Sequence, residues 1–187
     1  GDKLLDGGAC KSTRDWLVVM DDALNEAKHA SDDDSADFLR RLLRRDGMQA
    51  ALRGDASYFV QHVVHGEACE KALAVMLDDE FVGLFDVNGR YSGNMFETAL
   101  HYFCQNRMLE CVRVLVTVRG LDVNATDKDN NTALHAAAES HKLEYVKQLV
   151  EIAGAHVNPR NRSGQTPLGV AAHPLVRKAL SGYGGTE

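Results

Sequence analysis

Proline is scarce, at three in 187 residues, as are aromatics at 6% and cysteines at four. Few prolines leave room for helices, because a proline inside a helix removes a hydrogen bond and clashes with the preceding turn. The cysteines, Cys10, Cys69, Cys104 and Cys111, show neither the C-x-x-C pairs of a zinc site nor the density of a disulfide framework. They read as reduced thiols of a cytoplasmic protein, with the nucleus as the other compartment that fits. No apolar run approaches the roughly 20 residues that cross a bilayer, since even Val112–Val118 is short and broken by Arg113. Membrane insertion is therefore not expected, and residues 1–10 lack the basic start and long apolar stretch of a secretory signal. A basic excess is missing too, the formal net charge being -6, whereas nucleic-acid binders present a basic stripe that releases counterions. Nucleic acid is not an expected partner. Without a Gly-rich phosphate loop, a nucleophile elbow or a metal-ligand cluster, the sequence leads us to expect no enzyme, no cofactor and no metal.

What the chain does contain is a repeat. Thr98-Ala99-Leu100-His101 recurs as Thr132-Ala133-Leu134-His135 and, altered, as Thr166-Pro167-Leu168-Gly169, each 34 residues after the last. A second landmark keeps nearly the same step: Asp86-Val87-Asn88, Asp122-Val123-Asn124 and His156-Val157-Asn158. These residues resemble the ankyrin repeat, whose period is about 33 and whose T-P-L-H-x-A signature opens the first of two helices before a β-turn finger. The clearest copy runs from Asp127 to Asn158, with a first helix over 132–138. Leu143, Val146, Leu149 and Val150 form the apolar stripe of the second, at spacings that share one helical face. Leu109, Val112, Leu115 and Val116 form the matching stripe one repeat earlier, and His173-Pro174 opens the second helix of a shortened last repeat.

The resemblance is clear over about 86–180 and degenerate before that. Residues 57–64 and 67–77 read as the two helices of a worn repeat around Gly66, and 34–52 as capping helices. Trp16, Met20, Leu24 and Ala27 align on an amphipathic helix behind Ser12 and Thr13, both candidate N-caps, and the Asp-rich stretch 31–35 reads as linker and N-cap. The resemblance thus implies an all-α ankyrin-repeat solenoid of about 3–5 helix-turn-helix repeats with β-turn fingers. Residues 1–35 would form a helical extension and acidic linker, 36–181 the repeat domain and 182–187 a disordered tail.

In that family, finger tips and the exposed ends of first helices line a concave binding surface. Carried over by position, this implies a partner-binding set of Thr126, Lys128, Asp129, Asn131, Glu139 and Ser140 in the best repeat. In the last repeat it picks out Arg160, Arg162, Ser163, Gln165 and His173. The connection from Asn88 to Thr98 is two residues longer than that from Asn124 to Thr132, and carries Arg90, Tyr91, Met95 and Phe96, residue types favoured at interface hot spots. Met95 and Phe96 either meet a partner there or tuck against the preceding repeat.

Other chemistry is weaker. His101 lies one helical turn before Cys104, but no orienting third group recurs with them, and in the family the matching histidine ties neighbouring fingers together. Gly169 replaces it in the last repeat. Asp127, Asp129 and Asn131 open like a calcium loop, which Thr132 and Ala138 then break. Arg40, Arg41, Arg44 and Arg45 line one side of a helix, as a docking strip or as a solvated face balanced by Asp32, Asp33, Asp34 and Asp37. The function expected is a non-catalytic interaction module or adaptor for another protein or peptide, with a regulatory segment of a larger enzyme as the alternative.

Overall fold

The computed structural model describes residues 12–29, 33–54, 70–90 and 97–187. Its contacts divide the chain into two compact units, residues 1–87 and 88–187, a boundary inside the 36–181 span read as one repeat domain.

In the first unit, α1 (Thr13–His29) is capped reciprocally: Ser12 Oγ accepts the Asp15 N–H and the Asp15 carboxylate accepts the Ser12 N–H. Met20, Ala23 and Leu24 on its apolar face pack against α2 (Asp33–Leu43), α3 (Asp46–Gly54) and α4 (Glu70–Met76). Helix α2 starts inside the 31–35 stretch expected as linker. The Trp16 indole leaves no room for a side chain on α3 at Gly47, where a Cβ would lie 2.5 Å from Cε2. The first helix expected over 57–64, with Gly66, lies outside the described residues; the core of its partner is α4.

The second unit repeats one motif. Helices α5 (Ala99–Gln105), α7 (Ala133–Glu139) and α9 (Pro167–Val170) stack as one layer, and α6 (Leu109–Leu115), α8 (Leu143–Lys147) and α10 (Pro174–Gly182) as the other. Ala133, Ala136, Ala137 and Ala138 are buried, and such small side chains let neighbouring first helices approach closely. Leu100, Leu134 and Leu168 fill the spaces between repeats, while Val112, Leu115, Val146 and Leu149 anchor the second layer. Between paired helices the chain turns through Arg107 and His141, both at positive φ, where any residue but glycine is strained by about 1 kcal/mol. Helix α8 runs on into a π turn, Gln148–Ile152.

Three asparagines stitch consecutive repeats. Asn88 donates to the Gly120 carbonyl (2.8 Å) and accepts the Asp122 N–H (2.8 Å), and Asn124 accepts the His156 N–H (2.8 Å). At the last junction Asn158 donates to the Gly184 carbonyl (3.0 Å) and accepts the Thr186 N–H (2.8 Å). Gly120, Gly154 and Gly184, two residues before each captured N–H, all take positive φ. The C-terminal residues thus occupy the position of the next repeat's incoming turn, which corrects the expectation of a disordered tail: α10 continues to Gly182, and Asn158, Thr166, Arg160 and Arg177 all hold residues 184–187.

Leu134→Ala should lower the stability of the chain by about 2 to 5 kcal/mol in chemical denaturation, since it empties an inter-repeat space. A loss under about half a kcal/mol, the size of a surface effect, would refute that packing. Removing residues 183–187 should cost about 1 to 3 kcal/mol, several hydrogen bonds of modest net value, and an unchanged unfolding curve would show that the tail closes nothing.

Candidate partner-binding surface

The sites inferred from the repeat all lie in the second unit, on fingers held from beneath by the first helices. The β-bridge Thr126–Thr132 closes one finger, and Arg90–Thr98 closes the longer one before it. Within the finger at 126–132, the buried Asp127 accepts the N–H groups of Asp129 and Asn131 (both 2.8 Å) and the Asn131 side-chain amide (3.1 Å). Asn161 repeats the arrangement one period later, accepting the N–H groups of Ser163 (3.0 Å) and Gln165 (2.9 Å). Short polar side chains that satisfy their own backbone in this way fix tight turns. The resemblance to a calcium loop ends here, because the Asp127 carboxylate is already engaged; among the described residues no cluster of three metal-binding side chains exists.

Histidines then join finger to finger. His101 Nε2 lies 2.9 Å from the Asn131 carbonyl and His135 Nε2 lies 3.1 Å from the Gln165 carbonyl, each 30 residues ahead. A carbonyl only accepts, so Nε2 carries the proton, and Nδ1 is left to accept from Thr98 (N at 3.4 Å, Oγ1 at 2.8 Å) or Thr132 (both at 3.1 Å). Burial lowers the pKa of both imidazoles, against the raising effect of the carbonyl bond and of Asp127. They are neutral structural pieces. Where Gly169 stands in place of a third histidine, the Thr166 hydroxyl donates instead to the Thr186 carbonyl. Adjacent fingers also meet directly, Arg162 N–H on the Asp129 carbonyl (2.8 Å) and the Asn161 amide on Asn131 Oδ1 (3.0 Å).

Set against this frame, the sequence-inferred residues separate. Tyr91, Met95 and Phe96 lie outside the described residues. Lys128, Glu139, Arg162 and Gln165 stand on the finger and first-helix side with no intramolecular partner for their side chains among the described residues; Glu139, Arg162 and Gln165 are exposed and Lys128 half-buried. Arg90 is exposed but reaches the Thr126 carbonyl, and Arg160 holds the carbonyls of Gly164 and Glu187. Thr126 and Asp129 are half-buried, their backbones engaged by Arg90 and Arg162. Asn131 spends both ends of its amide inside the fingers. Ser140 must be withdrawn: it is buried, and its hydroxyl donates to the Ala137 carbonyl at 2.7 Å, because the helix C-terminus leaves that acceptor open. His173 faces His141 with ring centroids 6.2 Å apart, its Nδ1 accepting the Leu175 N–H at the start of α10.

The model of ankyrin repeats in three copies matches residues 29–161 and, overlapping, 100–181. The chain belongs to the ankyrin-repeat family. No curated protein matches it. Membership reaches back into the first unit, further than the legible T-A-L-H signature, and ankyrin repeats are in general protein–protein interaction modules. No helix among the described residues is long and apolar enough to cross a membrane.

A nucleophilic Cys104–His101 pair fails on geometry. The Cys104 thiol is wholly buried and pushed up to about 12, so no nucleophilic thiolate forms beside His101, whose two nitrogens are already used. In the first unit, Arg44 makes a two-bonded pair with Glu80 (2.8 and 2.9 Å) above the Phe81 ring, and Arg40 pairs with Asp37 (3.2 Å), which engages two of the four arginines of that strip.

Because both histidine ties are neutral and depressed in the fold, the unfolded chain binds protons first as pH falls. Stability should be constant above about pH 7, then fall once pH passes below the ordinary histidine value of about 6.5, levelling off below the folded values. Urea midpoints at a series of pH values should show this slope in the native chain and a flatter one in His101→Gln/His135→Gln; equal slopes would remove the ties as its cause.

Proposed function

We propose that this ankyrin-repeat chain is a non-catalytic adaptor or scaffold module that docks one partner protein or peptide on the concave face of its second unit. The observation that supports this most is that the fingers are braced before any partner arrives, by Asp127 and Asn161 within each finger and by His101 and His135 between them. A surface already ordered loses little conformational entropy on binding, so its contacts count more fully toward affinity. Lys128 and Arg162 occupy the same place in consecutive repeats, and with Glu139 and Gln165 they offer side chains that no other described residue uses. Arg90, Tyr91, Met95 and Phe96 extend the proposed surface along the longer finger. Nothing in the proposal requires a cofactor. The buried Cys104 thiol fits a reducing compartment, the cytosol or nucleus.

Capture from a cell extract by the intact chain, set beside Lys128→Ala/Glu139→Ala/Gln165→Ala with an unchanged far-UV circular dichroism spectrum, tests this reading. A partner held by the first and weakened about tenfold or more in the second, as loss of interface side chains of this kind produces, is the expected result. Identical partners in both would move the interface off this face.

A further inference from the structure

We infer that the edge of the fingers selects an acidic segment of the partner, an inference that rests on the concave-face reading above. The two units differ sharply in charge: residues 1–87 hold ten basic and eighteen acidic side chains, whereas residues 88–187 hold eleven basic and nine acidic. Four of the second unit's eleven cations stand on its fingers. Arg90, Lys128, Arg160 and Arg162 lie on consecutive fingers joined by hydrogen bonds, Arg90 to the Thr126 carbonyl and Arg162 to the Asp129 carbonyl.

Two acidic groups of this region are turned inward. Asp127 is buried under three N–H donors, and Glu97 is buried and accepts the Gln105 amide at 2.9 Å. Asp122, Asp129 and, on the adjoining first helix, Glu139 keep a carboxylate at or near the surface, against the four cations Arg90, Lys128, Arg160 and Arg162. Lys128 and Arg162 have no ionic partner among the described residues, which leaves their charge available.

The chain itself supplies an example of the occupant. Glu187, in the extended residues that follow α10, lies against this end of the surface: its carboxylate pairs with Arg177 and its carbonyl accepts from Arg160 Nη2 at 3.0 Å. The neighbouring Thr186 is held through its backbone by Asn158 and Thr166. An extended acidic peptide finds, toward the earlier fingers, the ammonium of Lys128 and the guanidinium of Arg162, as the Glu187 carboxylate finds that of Arg177 on α10. Charge-assisted hydrogen bonds of this type are stronger than neutral ones and give direction to the bound segment.

The test uses the full chain and fluorescein-labelled peptides of about four Glu-Gly-Ser repeats, with Gln-Gly-Ser and Lys-Gly-Ser peptides and oligothymidylate as comparators, read by anisotropy. The Glu peptide should bind, the Gln and Lys peptides should not, and affinity should fall as NaCl rises from about 50 to about 300 mM. Lys128→Glu/Arg162→Glu should weaken the Glu peptide by about tenfold or more, while Lys142→Glu/Lys178→Glu, which changes net charge equally on the same unit, should leave it within about twofold. Equal loss in both variants, tighter binding of oligothymidylate, or no binding of the Glu peptide would each overturn the inference. If the Glu peptide fails while a cellular partner is still captured through Glu139 and Gln165, only the acidic preference falls; if capture fails as well, the concave-face reading falls with it.

Discussion

A neutral imidazole bonded at both ends holds the second unit together. Nδ1 of His101 or His135 closes the start of its own helix, and Nε2–H reaches a carbonyl in the finger 30 residues on. Each bond is modest in net terms, about 1 kcal/mol, but the partners are buried, and a buried donor or acceptor left alone costs more than the bond yields. The stacking of first helices, the closeness that Ala136–Ala138 permit and the bracing of fingers by Asp127 and Asn161 all presuppose this link. The asparagines at 88, 124 and 158 do the same work on the other side of each turn, so every junction is fastened twice.

Much of this could be read from residue order, because the period-34 landmarks are the groups that make the junctions. Thr98 and Thr132 start the helices expected of them, Val146 and Leu149 are as buried as their spacing implies, and Pro174 opens α10. The Asp-Val-Asn landmark was visible as a period without revealing that its asparagine side chain binds the following turn. A hydrogen bond 26 to 34 residues long leaves no local pattern. For the same reason the tail misled: three glycines in seven residues look unstructured, yet Gly184 supplies the positive φ that the junction needs and Thr186 the N–H.

Binding residues were harder to read than fold residues. Position along the repeat identified the right side of the stack, but whether a side chain there is free depends on its neighbours. Ser140 and Asn131 are consumed by nearby backbone and amide groups, whereas Lys128 and Arg162 are not. Arg44 shows the same effect in the first unit. Its sequence neighbours include four aspartates, and the carboxylate that binds it is Glu80, 36 residues away.

A stack in which each repeat touches only its neighbours behaves as links in series, and the weakest link decides where it opens. Two of the links here contain an imidazole and the last contains the Thr166 hydroxyl, which carries no proton that mild acid can add. Mild acid therefore acts on the two inner junctions, where burial lowers both imidazole pKa values, and leaves the Thr166 link untouched.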